Sequence, residues 1–527
     1  MLSFRVTGVV ALSALLVFAG GSALAAPASF GSGATEGGTT ISGTVTGVTF
    51  TQVSVGEGHS LAVGSDGNVY AWGSNYYGQL GDGSTTDRTT PVLVSVGDVP
   101  SGVTLIRVAA GNRHSLALGS DGNAYAWGSN RYGQLADGST TDRTTPVLVS
   151  AGAVPSGVTL TQVAAGGLHS LAVGSDGNVY AWGYNSSGQL GDGSTTDRTT
   201  PVLVSGGAMP SAVTPTQVAA GWSHSLAVGA DDKVYAWGDN SSGGLGDGSA
   251  TDRTTPVLVS VGDVPSGVTL TQVAAGAYYS LAVGSDGNAY AWGYNSSGQL
   301  GDGSTTDRTT PVLVSVGDVP SAVTLTQVAA GTAHSLAVGS NGNAYAWGDN
   351  NSGGLGDGST TDSPVPLRVS VGAVPSGVTL IQALAGSLDS MALGSDGRMY
   401  GWGDNGYGQL GDGSTVQRVT PVATSMSPVI SGASFDSVDG TGLTQSAGAW
   451  SIDSPAHAAG AVDVVVSYTQ FGVASTQTFV GGFTYLALLP ATGSPFPFLA
   501  VGSALLLLIV GSGFLVVRRT AAQRLTT

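Results

Sequence analysis

Cysteine is absent from this 527-residue chain, and two other reactive residue types are nearly so. Glutamate occurs only as Glu36 and Glu57, and lysine only as Lys233. Without thiols there is no disulfide framework, no Cys-ligated zinc and no thiolate nucleophile. Charged residues make up 9% of the chain, and the 33 acids against 16 Lys and Arg leave a net charge of −17. Such a surface repels phosphate backbones, so nucleic acid is not an expected partner. No stretch holds a 3.6-residue apolar period over three turns, which argues against helical architectures. Neither G-x-S-x-G, H-E-x-x-H nor a phosphate-binding loop occurs. The aspartates recur in turns such as Asp66-Gly67 and Gly81-Asp82-Gly83, so they offer no unique carboxylate pair for glycoside chemistry. The Asp-Gly-Ser-Thr-Thr-Asp loops lack the full D-x-D-x-D-G calcium pattern. No catalytic residue, metal ligand or cofactor is therefore assigned, and the chain is read as a non-enzyme.

What is present is glycine, 85 residues of it, with a hydrophobic fraction of 41%. That combination indicates turn-rich β structure with enough apolar surface for cores. Trp72, Trp127, Trp182, Trp237, Trp292, Trp347 and Trp402 are each 55 residues apart. The spacing defines seven repeats without insertion or deletion. In the third repeat the strand candidates are Thr161–Ala165, Ser170–Val173, Asn178–Trp182 and Pro201–Val204, with Asp176-Gly177 as a tight-hairpin signal. Four short strands per repeat match a propeller blade. In Ser170-Leu171-Ala172-Val173, large residues alternate with a small one, which suits sheets packed on both faces.

The repeats resemble the regulator of chromosome condensation repeat. The resemblance rests on G-x-x-H-S-L-A (Gly56–Ala62), D-G-x-x-Y-x-W-G (Asp66–Gly73), G-Q-L-G (Gly78–Gly81) and T-P-V (Thr90–Val92). It implies a seven-bladed β-propeller over 51–425. The array begins with Thr51-Gln52-Val53 and ends with Thr420-Pro421-Val422. The expectation is that Pro421–Thr424 supplies a strand missing from the first blade, closes the ring and removes an open edge.

Beyond the repeats, Ser451–Gly460, Val462–Val466 and Phe483–Tyr485 resemble an IPT/TIG immunoglobulin-like domain over 426–488. Its usual opening strand is missing there, but a similar string, Gly37–Gly43, precedes the propeller within the arm at 26–50. Two arrangements follow: one small β-sandwich split by an inserted propeller, or a short sandwich with a loose N-terminal arm. The expected fold class is thus all-β: a seven-bladed propeller, a small immunoglobulin-like sandwich, an N-terminal signal peptide and a C-terminal transmembrane helix.

The chain ends give the compartment. Arg5, an apolar run from Val9 to Ala19 and the small-residue site Ala23-Leu24-Ala25 form a signal-peptide pattern over 1–25, with cleavage after Ala25. Phe496–Val517 is long and apolar enough to span a bilayer, and Arg518, Arg519 and Arg524 follow it. Before it, Leu489-Pro490-Ala491-Thr492-Gly493 resembles the LPxTG sorting signal of Gram-positive wall proteins. The resemblance implies that a sortase cleaves the Thr492–Gly493 bond and passes the threonyl group to a peptidoglycan precursor, so the membrane holds the chain only before sorting.

The histidines His59, His114, His169, His224 and His334 recur at the repeat period, with Tyr279 and Asp389 in the two remaining repeats. Identical context in each repeat makes them packing or turn-bonding residues. The repeats differ mainly in two loops, before the histidine and after the Trp-Gly. In an up-and-down meander both loops emerge on one face. They carry Tyr76, Tyr77, Arg113, Arg131, Tyr132, Tyr184, Trp222, Tyr278, Tyr294 and Tyr407, types enriched at binding hot spots. The functional expectation is a wall-anchored protein that uses the propeller to bind an extracellular protein or glycan. The alternatives are a propeller-type inhibitor of an extracellular enzyme and a glycan-active enzyme. Replacing Thr492 with Ala should leave the chain detergent-extractable from cells; release of the unaltered chain by detergent without wall digestion would rule out the covalent anchor.

Overall fold

The computed structural model describes residues 32–34, 40–44, 47–426, 428–446, 449–457, 460–471 and 473–486, all of them in strands, turns or irregular segments. The signal peptide at 1–25, the sorting motif at 489–493 and the apolar span at 496–517 lie outside the described residues. Among the described residues no helix is long and apolar enough to cross a membrane. The chain divides into two compact units, one of 46–428 with 469–473, the other of the described residues up to 45, 429–468 and those from 474 onward.

The large unit contains seven four-stranded sheets, each an antiparallel meander in chain order. In the first sheet the strands are Phe50–Val55, His59–Gly64, Val69–Gly73 and Arg88–Leu93. Successive side chains alternate between the two faces, and both faces are buried in the second and third strands. The Asp66-Gly67 hairpin is a three-residue connection rather than a two-residue one. Gly67 N–H donates to Gly64 O at 3.0 Å and Gly64 N–H to Asn68 O at 2.8 Å. Only the glycine has positive φ, at 80°, which is a type I turn closed by a glycine bulge. Asp66 holds the turn by accepting from Asn68 N–H and from the Tyr70 hydroxyl at 2.6 Å.

Sheets stack face to face by dissimilar surfaces. Leu171, Val173, Val179 and Ala181 of the third sheet pack on Ala227, Tyr235 and Trp237 of the fourth. The same aliphatic-on-aromatic contact recurs from the first sheet to the seventh, giving the tryptophans at the 55-residue period fully buried positions. The seventh sheet then packs on the first through Met391, Leu393 and Met399 against Phe50, Tyr70 and Trp72, so the array closes into a β-propeller ring. Adaptable methionines occupy that seam, where the two ends of the chain must fit each other.

Ring closure therefore differs from the sequence expectation. Pro421 lies in Arg418–Ala423, which pairs with Met399–Gly403 of its own repeat, and the strand from Phe50 pairs within the first repeat. Gly73 pairs with Arg88 and Ala71 with Val92, so every TPV strand returns to the repeat that precedes it in the chain. The first sheet already has four strands. No strand is exchanged, because packing one sheet on another closes the ring without needing a shared edge.

A hydrogen-bonded latch accompanies the packing. Trp127 Nε1–H donates to Gln79 O at 2.8 Å, and Ser115 Oγ–H donates to the same carbonyl at 2.8 Å. His59 Nε2 lies 2.9 Å from Ser115 Oγ. Since the serine proton is already committed to the carbonyl, the imidazole must donate, which assigns the neutral Nε2–H form. The buried Nδ1 atoms of His59, His114 and His169 have no partner, as that tautomer allows for an acceptor. Packing outweighs the latch: losing a buried tryptophan typically costs about 3–5 kcal/mol, against about 1 kcal/mol for one hydrogen bond. The latch contributes register.

At the seam the latch is incomplete. Ser60 and Trp72 still donate to Gln409 O. Asp389 stands where histidine would, and neither of its buried carboxyl oxygens finds a partner.

The small unit has a five-stranded sheet ordered Ser32–Ala34, Val473–Leu486, Gly460–Gln470, Val429–Phe435 and Val438–Asp439. A second sheet orders Thr40–Thr44, Ala449–Asp453 and Thr441–Ser446. The two share one core, with Ile41, Trp450 and Ile452 from one and Phe435, Val464 and Phe483 from the other. Thr40–Thr44 pairs antiparallel with Ala449–Asp453, so strands from before and after the propeller build the same sheet.

Stability should depend on pH through these buried groups. Burial lowers the histidines from 6.5 to about 3 for His59 and His169, and to about 4 for His114, His224 and His334. The unfolded chain then binds protons first, so stability is full above about pH 6.5 and falls as pH drops through that window. Asp389 acts with the opposite sign. Burial, and then the charge of Asp404, raises it well above the usual carboxylate range, so its share of stability is lost as pH rises through its folded value. Denaturant midpoints should fall between pH 6.5 and 4, and Asp389→His should raise the neutral-pH midpoint by completing the seventh latch. A lowered midpoint in that variant would show that the seam is not built like the five interfaces that carry histidine.

Candidate functional face

The meander places the loop before each histidine beside the loop after each Trp-Gly. A backbone bond ties them in every repeat: Ser74 N–H donates to Gly58 O at 2.8 Å, Ser129 N–H to Arg113 O at 2.8 Å and Tyr184 N–H to Leu168 O at 3.0 Å. The remaining four repeats bond through Asp239–Ser223, Tyr294–Tyr278, Asp349–Ala333 and Asp404–Leu388. The two segments that vary most between repeats therefore share one face.

The rest of the long loop is held rigidly. Buried Asn75 donates to Asp82 Oδ1, Ser84 O and Thr86 O, and its own Oδ1 accepts from Leu80 N–H. Arg88 adds an ion pair to Asp82 at 2.7 Å. Burial pushes the Asp82 carboxyl upward, but hydrogen bonds from Ser84 and Arg88 outweigh it and hold the group below its usual value. A half-exposed pair of this kind contributes under about 1 kcal/mol; its use is to fix the loop that carries the variable residues. These contacts occupy the Asp-Gly-Ser-Thr-Thr-Asp loop.

The ten sequence candidates form a connected arc. Tyr76 meets Tyr77 edge-on with centroids 4.9 Å apart. The Tyr77 hydroxyl accepts from Arg113 at 2.9 Å, and the guanidinium lies 5.1 Å from the ring centre. Arg131 sits 5.6 Å from the centre of the Tyr132 ring, which in turn contacts Tyr184 at 4.8 Å. Trp222 packs on Tyr278 at 5.7 Å, and Tyr294 joins Tyr278 through the inter-loop bond. Tyr407 and Tyr76 line one depression of about 700 Å³ together with Tyr77 and Arg113. A neighbouring depression of about 820 Å³ brings Tyr77 and Arg113 together with Arg131, Tyr132 and Trp222. Tyr184, Tyr278 and Tyr294 line neither depression and reach the arc only through their neighbours.

Sequence comparison between repeats missed part of this lining. Thr140, Thr141 and Asp142 border the larger depression, and Thr85, Thr86 and Asp87 the other. Those loops are nearly the same in every repeat, so variation carried no signal for them. Leu168 and Leu388 also contribute; they belong to the variable pairs before the histidine position but have no hot-spot character in sequence.

Trp222 occupies its place because its neighbour is glycine. A Cβ on Gly167 would lie 1.9 Å from Trp222 Cδ1, which no packing tolerates. Of the nine tryptophans, Trp222 is 36% exposed and the other eight at most 2%.

These features define a repeat-built β-propeller whose differences between repeats are gathered on one face. The RCC1-like domain model matches residues 31–323, and the regulator of chromosome condensation (RCC1) repeat matches 325–353, 341–393 and 396–434. The chain belongs to this RCC1-like repeat family. It is 32% identical over 398 residues to the ultraviolet-B receptor UVR8 of Arabidopsis thaliana, covering 75% of this chain and 86% of the relative. It is 31% identical over 372 residues to the human E3 ubiquitin-protein ligase HERC2, covering 69% of this chain but 7% of that protein. Among solved structures it is similar to Prp20p from Saccharomyces cerevisiae, described with its binding to Gsp1p and histones. That likeness has 27% identity and a TM-score of 0.55 over 65% of this chain and 81% of the other. Human WBSCR16, at 24% identity and a TM-score of 0.56 over 64% and 84% of the two chains, shares the fold.

Because Trp222 alone is open to solvent, acrylamide quenching of tryptophan fluorescence reads this one residue. Gly167→Ala should raise the quenchable fraction by displacing the indole from Tyr278, and Trp222→Phe should abolish that fraction. Unchanged quenching in Gly167→Ala would show that the indole does not rest on the glycine.

Proposed function

We propose that the chain is a non-catalytic recognition protein of the bacterial surface, with a seven-bladed propeller that binds an extracellular protein through the Tyr76–Tyr407 face. The observation that carries this reading is the connected arc of tyrosine, tryptophan and arginine on the face where otherwise near-identical repeats differ. Tyr, Trp and Arg are enriched at hot spots because each buries large area with few rotatable bonds or offers a rigid donor fork. Two adjoining open depressions suit protruding side chains of a partner better than a single enclosed small molecule. The family likeness supports protein as the ligand class: Prp20p is described with the protein partners Gsp1p and histones. No ligase activity is carried over from HERC2, of which this chain matches only 7%.

Display outside the cell is supported by the order of the sequence signals: the signal-peptide pattern, LPATG, the apolar span and the trailing arginines. In this reading a sortase links Thr492 to the peptidoglycan precursor, and the small unit is an IPT/TIG-like immunoglobulin sandwich into which the propeller is inserted.

The full chain, solubilised in detergent, should capture a specific extracellular or envelope protein. Trp222→Ala, Tyr77→Ala and Arg131→Ala should each weaken that binding by about 1–4 kcal/mol, whereas Asn178→Ala in an Asp-Gly turn of the opposite face should leave it unchanged. Binding that is lost with Asn178→Ala and kept by the other three would sink the assignment of this face.

A further inference from the structure

The inner ends of the seven first strands meet at the ring axis around a cavity of about 110 Å³. Each repeat contributes the same three positions to it. The first two are alanine and glycine in six repeats, such as Ala110 and Gly111 or Ala275 and Gly276, and Val55 and Gly56 in the first. The third is the leading residue of the variable pair, so apart from Val55 symmetry breaks there. Glu57, Asn112 and Trp222 are the large residues at that third position.

Two of these residues have unmet acceptors. Glu57 Oε2 and Asn112 Oδ1 are buried and accept no hydrogen bond. A buried acceptor left unpaired costs roughly 1–3 kcal/mol, so a group that donates to either oxygen is favoured there. The nearest cation does not serve. Arg113 is engaged with the Tyr77 hydroxyl and ring, and none of the ion pairs among the described residues involves Glu57. Burial keeps the Glu57 carboxyl above its usual range, and the charge of Arg113 only partly offsets it.

The ligand chemistry follows from the donor set. A calcium ion needs six to eight oxygens and magnesium a full octahedron; the mouth offers one carboxylate and one amide carbonyl. A single positive charge with several N–H donors matches that count. The largely alanine and glycine walls accept an alkyl stem, and Trp222 lines the same mouth with an aromatic ring, a group that attracts cations. We propose that the axial mouth bounded by Glu57, Asn112 and Trp222 is a receptor for one primary ammonium group carried on an alkyl chain. Resting on the reading of this face as a protein-binding surface, the source of that group is a lysine side chain offered by the partner.

The test uses the full chain and a free probe, so it does not depend on finding the partner. Nα-acetyl-lysine methylamide is titrated by calorimetry and by the fluorescence of Trp222, with the neutral norleucine analogue as control. The lysine probe should bind saturably and the norleucine analogue should not. Glu57→Gln should weaken the lysine probe at least tenfold with an unchanged unfolding midpoint, and Asn112→Leu should weaken it less. Equal binding of both probes, or an affinity in Glu57→Gln equal to that of the unaltered chain, would overturn the ammonium site. If the free amine binds but affinity for a captured partner is unaffected by Glu57→Gln, the lysine source is wrong and the aromatic arc carries the binding of that partner.

Discussion

One backbone carbonyl per repeat organises the ring. At Gln79 it accepts the Trp127 indole N–H and the Ser115 hydroxyl of the next sheet, and Ser115 in turn accepts from His59. The same arrangement recurs with Gln134, Trp182, Ser170 and His114. A buried indole N–H or hydroxyl without an acceptor is costly, so each sheet has one position at which it can sit on its neighbour. The aromatic contact supplies most of the energy, and the shared carbonyl decides the register in which that energy is collected. Glycine is required beside the latch for the same reason. A Cβ on Gly56 would lie 2.2 Å from Gly111 O and 2.8 Å from the His59 ring.

With the shared carbonyl present in all seven interfaces and histidine completing it in five, the face of the ring is free to differ. The dipeptide before the histidine lies outside the latch, yet its backbone is pinned on one side by the inter-loop bond. Its side chains can change without disturbing the sheets. This explains how Glu57, Asn112, Gly167 and Trp222 occupy equivalent positions with different chemistry. Rigid support and variable side chains are the conditions under which a repeat scaffold acquires a specific surface.

The repeat period, the four strands of each repeat and the face shared by the two variable loops were legible in sequence, because strand alternation and turn residues are local properties. The tight turn was legible in place but not in type. Asp66-Gly67 reads as a two-residue hairpin, while the side-chain bonds of Asp66 to Asn68 and Tyr70 favour a three-residue turn. The borders of the depressions at Thr140–Asp142 were invisible because repeat comparison sees only what differs. Ring closure was misread because counting strands cannot say to which repeat a strand belongs.

By itself, then, the sequence determined the all-β repeat, its tryptophan period and the short list of aromatic and arginine residues that now form one arc, since each depends on spacing and residue type. The tertiary structure decided three further matters. It assigned each TPV strand to its own repeat, because pairing of Gly73 with Arg88 spans a loop whose course no local pattern fixes. It joined Thr40–Thr44 to Ala449–Asp453, strands separated by the whole propeller. And it brought Glu57, Asn112 and Trp222 to the mouth of one axial cavity. Residues far apart in the chain become neighbours only when the last sheet packs against the first.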